Sequence, residues 1–335
     1  MSNHTIIIAE AGVNHGGDIE QARELVKAAA AAGADYVKFQ TFKAENLVCQ
    51  SAQRAEYQKR NCGGNETQLQ MLKRLELKAS HFGELSELCR KLGIGFLSSP
   101  FDVESVELLA PLKMDYWKIP SGEITNLPLL EAIGRQGGKI ILSTGMSTID
   151  EVEQALRILE ESGTKRSNVI LLHCNTQYPT EAADVNLLAM TALGKLSCAG
   201  VGFSDHTVGT AAPIAAVALG AMVIEKHFTL DKNMPGPDHK ASADPNEFAS
   251  MVRDIRFVEQ ALGSPLKHVT DSEKTNVEIA RKSIVAKIPI AKGEKFTTLN
   301  LTTKRPATGL SPMMWHYVIG QIATRDFAAD EPITL

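Results

Sequence analysis

The chain has 335 residues, 44% of them hydrophobic and 22% charged, with a formal net charge of −4. That balance argues against a nucleic-acid or membrane-surface binder, and no apolar stretch reaches the ~18 residues of a membrane span. Five cysteines without a C-x-x-C pair argue against a disulfide framework or a zinc ribbon. The N-terminal MSNHTIII runs straight into strand-like sequence with no basic, signal-type leader, so a soluble cytoplasmic protein is expected.

Eight short apolar runs follow one another, each stopping on polar residues. The first, TIIIAEAG, covers about 5–12, and a helix follows from an Asp18 N-cap to a Gly33 C-cap. The second, DYVKFQT, covers 35–41. A polar insertion over about 42–78 then precedes the helix ASHFGELSELCRKLG. A βα connection normally takes ~2–6 residues, so this excess is expected to fold over a barrel mouth, with Tyr57, Gln58 and Gln68 available to line it. A decorative surface loop is the alternative.

Runs three to eight are GFLSSP, YWKIPS, KIILSTG, VILLHCN, VGFSDH and VIEKHF, near 95–100, 116–121, 139–145, 169–175, 200–206 and 222–228. Asp102, Ser147 and Thr148 mark helix starts between them, and a helix over about 245–262 closes the eighth unit. Runs this rich in Ile, Val and Leu suit parallel strands buried on both faces. Eight strand–helix units predict a (β/α)8 TIM barrel over 1–263, with its active site at the C-terminal strand ends. Residues 264–278 read as a linker. The short strand-like pieces of 279–335 form a domain too small to be comfortably stable alone, expected to dock on the barrel or on a second subunit.

The strand ends carry the chemistry. His206 and His227 close the last two runs, and adjacent strands lie ~4.8 Å apart. Two imidazoles with open coordination positions suit a first-row divalent metal; a hydrogen-bonded histidine pair is the alternative. His15 and His173 could compete as ligands, although His173 sits inside an apolar run. Ser98 and Ser99, Lys118 and Ser121, then Ser143 and Thr144 end consecutive runs, a cradle for phosphate or carboxylate. Gly122 and Gly145 would let backbone approach such an anion closely. Glu10, Lys38, Gln40 and Glu123 add polar and ionisable groups to the rim, with a Glu10–Lys38 ion pair as the plain structural reading. Asp238 stands in a Pro-Gly-Pro turn past the eighth run. Cys174 reads as a buried, inert thiol.

The ordered motifs EAGVNHGG, VKFQTF, LSSPFD, WKIPSGE, ILSTGM, LLHCNTQYPT, GFSDHT, EKHFTLDKNMPGPDH and TKRPATG resemble the sialic acid synthase family from about residue 6 to the C-terminus. The tail resembles the antifreeze-like (SAF, β-clip type) domain of those enzymes. The resemblance implies condensation of phosphoenolpyruvate with an N-acetylated mannosamine-type sugar, a divalent metal (Mn2+ or Mg2+), and a domain-swapped homodimer. By matched motif, His206 and His227 become metal ligands. Ser99, Lys118, Ser121, Ser143 and Ser204 surround phosphoenolpyruvate. Glu10, Lys38, Gln40, Tyr178 and Asp238 contact the sugar. Glu123 becomes the catalytic carboxylate beside Lys118, and Arg305 reaches a partner's site.

Two departures stand out. The family often has Thr where Ser99 stands, and some members read HCTN where this chain reads HCNT, which leaves Asn175 or Thr176 as the phosphoenolpyruvate contact. The WKIPSGE, ARKSIVAK and SPMMW segments favour an N-acetylneuraminate synthase; the alternative is an N,N′-diacetyllegionaminate synthase, with a 6-deoxy, diacetamido acceptor. A metal-dependent pyruvate aldolase and a non-catalytic sugar- or ice-binding protein are more distant readings. Metal-dependent phosphate release separates these two distant readings from the synthase chemistry.

Overall fold

The computed structural model describes residues 4–62, 66–196 and 198–335. They separate into two compact units, Met1–Gly263 and Ser264–Leu335. The first unit holds eight parallel strands: β1 (Ile6–Gly12), β2 (Tyr36–Thr41), β3 (Gly95–Pro100), β4 (Tyr116–Ile119), β5 (Lys139–Ser143), β6 (Val169–Cys174), β7 (Gly200–Asp205) and β8 (Val223–His227). Their order is β3-β2-β1-β8-β7-β6-β5-β4, so the barrel is complete except for one seam between β3 and β4. No ladder pairing joins those two among the described residues. Across the seam the Ser98 amide instead donates to the Met114 sulfur at 3.2 Å.

The helices are α1 (Ile19–Ala31), α2 (Ala44–Leu47), α3 (Glu56–Cys62), α4 (Gln68–Leu75), α5 (Ala79–Leu92), α6 (Val103–Leu109), α7 (Leu127–Gln136), α8 (Ile149–Glu161), α9 (Ala189–Leu193), α10 (Ala211–Ala218) and α11 (Pro245–Leu262). Their starts follow local chemistry. Asp18 and Asp102 cap α1 and α6 through side-chain acceptors, while Thr148 with Glu151 and Asp244 with Glu247 form reciprocal capping boxes on α8 and α11. Among the described residues no helix is long and apolar enough to cross a membrane.

Strand alternation divides the barrel wall. Outward residues such as Ile7, Val37, Phe39, Ile140, Leu142 and Leu171 pack under the helices. Inward residues Ile8, Leu97, Tyr116, Ile141, Leu172 and Val223 form an apolar plug at the bottom of the barrel. The plug leaves no room at Gly202, where a Cβ would lie 2.6 Å from Leu172 Cδ2 and 2.4 Å from the Val223 carbonyl oxygen. Two residues further along their strands, on the same inward face, stand Glu10, Ser99, Lys118, Ser143 and Glu225. A fixed period of two thus turns an apolar floor into a charged one within a single step along each strand.

The 42–78 insertion is ordered around α2, α3 and α4. Thr67 and Gln70 form a capping box on α4, and Met71 and Leu75 from that helix pack with Val13 and Phe42 in a small core of their own. Gly17 is one position where only glycine fits. Its φ is +85°, and a Cβ would lie 2.3 Å from the Arg74 carbonyl oxygen at the end of α4. The first βα turn therefore lies directly against the insertion.

The second unit contains α12 (Asp271–Ala280), the antiparallel pair β9 (Ser283–Ala286) and β10 (Leu301–Lys304), and α13 (Trp315–Val318). Ile284, Ile290, Phe296, Val318, Phe327 and Ile333 form its core.

Candidate active site

A cavity of about 470 Å³ opens at the C-terminal ends of the strands. Its floor is built by strand register. Glu10 stands opposite Lys38, Gln40 opposite Ser99, and Ser204 opposite Glu225. Lys38 lies 2.8 Å from Glu10 and 3.6 Å from Glu225, and donates to Ser99 Oγ at 3.2 Å. Lys118 donates to Ser143 Oγ at 2.7 Å and lies 3.9 Å from Glu225. Ser204 donates to Glu225 at 3.1 Å, and Gln40 to Glu10 at 3.2 Å. Two ammonium groups and two carboxylates thus share one desolvated floor, with Glu225 between both lysines.

Burial and pairing pull these groups in opposite directions. Burial pushes the Glu10 carboxyl up, against the opposing pull of Lys38. Burial would also raise Glu225, but Lys118 and Lys38 outweigh it and hold that carboxylate below its ordinary value. Burial works against the Lys38 ammonium, yet Glu10 and Glu225 keep its pKa above the usual lysine value. Lys118 is lowered by burial, which its more distant carboxylates do not offset. Asp238, which lines the cavity, is pushed up to about 7 by burial and by the Glu10 charge.

His206 and His227 meet at one side of the cavity, their rings 5.3 Å apart. Tyr178 lies over the first, at 4.1 Å between centroids, and edge-on to the second at 5.5 Å. Burial lowers both histidine pKa values, so both are neutral at pH 7. His206 Nδ1 bonds to the Asn175 carbonyl. A carbonyl only accepts, so Nδ1 carries the proton and Nε2 keeps its lone pair. His227 Nδ1 is buried without a hydrogen-bond partner. A neutral, oriented imidazole beside an unsatisfied ring nitrogen fits a divalent cation. No group of three or more His, Cys, Asp or Glu side chains that could hold a metal ion gathers among the described residues. Behind the strands, buried Lys226 bonds to Asp205 at 2.5 Å and to the Thr207 carbonyl at 2.9 Å, tying together the two strand ends that carry the histidines.

Several expectations need correction. Ser98 and Thr144 face outward by strand alternation, bonding to Thr41 and to the Leu172 carbonyl, and do not belong to the anion cradle. At Gly122 a Cβ would meet no protein atom; at Gly145 it would lie 2.8–2.9 Å from Thr176, Cys174 and Ser121. His173 is satisfied by the Val185 carbonyl at 2.7 Å, and His15 accepts from the Gly17 amide; neither lines the cavity. Of the exchanged pair, Thr176 lines the cavity, while the Asn175 side chain accepts from the Gln177 amide in its own loop. Glu123 sits just beyond lining residues Ser121 and Gly122; it accepts from Asn126 at 2.7 Å and is raised by burial. Arg305 lies exposed on the second unit. The side chain of Tyr57 lies outside the described residues. Cys174 is buried and its thiol is raised by burial.

Gln58 and Gln68 line the cavity as expected of the insertion, but Glu225 and the insertion's apolar residues escape sequence reasoning. Glu225 was hidden inside the run VIEKHF, although its i, i+2 relation to His227 puts both on one face. The insertion supplies Gln68, Met71, Leu72 and Leu75 as one wall of the cavity. The spacing of QLQMLKRL carries that helical face. The insertion also bonds across the mouth, from Asn61 to the Pro237 carbonyl at 2.6 Å.

The NeuB family profile matches residues 25–267, and the SAF domain profile matches 281–335. The N,N′-diacetyllegionaminic acid synthase of Campylobacter jejuni is 52% identical over 329 residues, 98% of each chain. The enzyme of the same name from Legionella pneumophila is 45% identical, covering 96% of this chain and 91% of its own. The crystal structure of N-acetylneuraminic acid (sialic acid) synthetase from Leptospira borgpetersenii, in complex with citrate, superposes with a TM-score of 0.72 at 35% identity, covering 83% of this chain and 91% of that one.

Proposed function

This chain belongs to the NeuB family, and on that premise we propose that it condenses phosphoenolpyruvate with 2,4-diacetamido-2,4,6-trideoxymannose, forming N,N′-diacetyllegionaminic acid and phosphate. The observation that carries the acceptor is the 52% identity to the Campylobacter jejuni synthase over nearly the whole of both chains. It outweighs the three short segments that favour N-acetylneuraminate, because it runs over 98% of both chains.

In this reading the floor holds the donor. Lys118 and Lys38, with Ser99, Ser121, Ser143, Ser204 and Thr176, position its phosphate and carboxylate. Glu10, Gln40, Tyr178 and Asp238 hold the sugar. A divalent ion such as Mn2+ or Mg2+ on His206 and His227 would polarise the sugar's open-chain aldehyde. The alkene carbon of phosphoenolpyruvate bonds to the aldehyde carbon, whose oxygen takes a proton. Asp238 is a lining acid still partly protonated near pH 7 and is assigned that transfer. Water adds at the adjacent carbon, Glu123 takes its proton, and phosphate leaves with the donor oxygen. Arg305 from the tail of a second subunit completes the sugar site, so the working unit in this reading is a homodimer.

Incubation with phosphoenolpyruvate and each acceptor in turn tests the reading. Phosphate and a nine-carbon keto acid should form fastest with the diacetamido sugar. Preference for N-acetylmannosamine would return the acceptor to the N-acetylneuraminate alternative. Use of pyruvate without phosphate release would replace the synthase with an aldolase. Chelation should stop turnover and Mn2+ restore it, and His227→Ala should lose Mn2+ binding by calorimetry.

A further inference from the structure

The cavity is chemically lopsided. Its floor and histidine side are charged or polar, whereas the insertion, beside Gln58 and Gln68, presents an apolar face of Met71, Leu72 and Leu75, with Val13 and Phe101 alongside. Met71 and Leu75 are each only 1% exposed, and the five side chains pack into one apolar cluster. The capping box fixes the start of α4, and Gly17 abuts its end. Val13, Met71 and Leu75 are covered by the cluster itself, while Leu72 and Phe101 are half-buried and leave apolar surface that a ligand's own apolar groups would cover.

Two substrates divide the site. The donor is small and fully anionic, so its place is against the lysines and serines. The sugar's aldehyde must approach both the donor and the histidines, which turns its far end toward the mouth, where the insertion lies. We propose that the apolar face of α4 is the acceptor-selecting wall. It takes the C6 methyl and the C4 acetamido methyl of the 6-deoxy, diacetamido sugar, and it disfavours N-acetylmannosamine, which would press a hydroxymethyl and a hydroxyl onto it. This rests on the acceptor proposed above. Leu72, half-buried and lining the cavity, is the specificity-determining residue most open to substitution.

The experiment measures kcat/KM for both acceptors in the full-length enzyme, its Leu72→Asn variant and its Leu72→Met variant. A lost apolar contact in such a pocket is worth about 10–200-fold in discrimination. Leu72→Asn should therefore lower the ratio of diacetamido sugar to N-acetylmannosamine by about tenfold or more, with the KM for phosphoenolpyruvate unchanged, and Leu72→Met should keep the wild-type ratio. An unchanged ratio in a Leu72→Asn protein with wild-type melting temperature overturns the wall. A wild-type preference for N-acetylmannosamine overturns the proposed acceptor instead, and the wall then survives only if Leu72→Asn still shifts the ratio. If Leu72→Asn does not fold, wild-type enzyme offered 2-acetamido-2,6-dideoxymannose decides. It should use this sugar about tenfold better than N-acetylmannosamine; equal use overturns the wall.

Discussion

The floor of the cavity and its insertion wall are made by different rules. The floor is strand-borne: Lys38, Lys118, Ser204 and Glu225 stand where parallel register puts them, and each is held by another floor residue. The wall is helix-borne. Its residues answer to a local apolar cluster and to a capping box outside the barrel ladder. In the proposed reading a mutation on the floor disturbs charges that every substrate meets, while one on the wall disturbs only what reaches the mouth. Chemistry and selectivity would then be separable, because they sit on elements with independent reasons to be where they are.

That separation can be broken experimentally, most forcefully at the floor. Lys118→Met removes an ammonium that pairs with Glu225 and donates to Ser143. Removing one electrostatic donor from such a water-excluded site costs about 10²–10³-fold in rate. Donor kcat/KM should thus fall by about 10²–10³-fold, equally with both acceptors; an acceptor-dependent loss would break the division between floor and wall. Glu123→Gln should lower kcat by about 10²-fold, the scale of a general base, and leave both substrate affinities near wild type by calorimetry. Full turnover in that variant removes Glu123 from the chemistry.

A third measurement uses pH. The folded pKa of Asp238 is raised from 3.8 to about 7. The native state therefore binds a proton that the unfolded state has already released, and stability falls as pH rises from about 4 through 7. Denaturant titrations should show the wild type losing about 2–4 kcal/mol across that window relative to Asp238→Asn. Parallel pH profiles would place Asp238 in water. The smallest effect separates neighbours. Ser99→Ala should weaken donor affinity by the worth of one hydrogen bond, about 0.5–1.5 kcal/mol, whereas Ser98→Ala, on the outward face, should leave donor KM unchanged.

The barrel was legible because its eight runs are bounded by caps and glycines that mean the same thing in isolation as in the fold. All eight strands fall within the predicted runs. The floor was half legible. The ends of the runs announced Lys118, His206 and His227, but the difference between Ser98 and Ser99 is parity, which counting run ends ignores. Glu225 was missed for the same reason, since a carboxylate inside an apolar run looks like an interruption until its neighbour two places on is known to face inward. The wall was legible as an insertion over the mouth lined by Gln58 and Gln68, but not in its apolar residues. The 42–78 stretch is polar overall, and the i, i+4, i+7 spacing of Gln68, Leu72 and Leu75 occupies little more than two turns. The three short segments weighted the acceptor toward N-acetylneuraminate, whereas the relatives favour the N,N′-diacetyllegionaminate alternative; motifs clustered at the strand ends report on chemistry the family shares.

Gly17 carries a consequence of its own. It touches no cavity, yet its missing side chain is what lets the loop after β1 lie against the carbonyl of Arg74. Any heavier residue there would meet that carbonyl at 2.3 Å from a backbone φ of +85°, so the turn or the end of α4 would have to shift. In the proposed reading such a shift would reach the acceptor wall from a position that touches no cavity. A collection of variants screened on a bulkier sugar should be searched at Gly17 as well as at the wall.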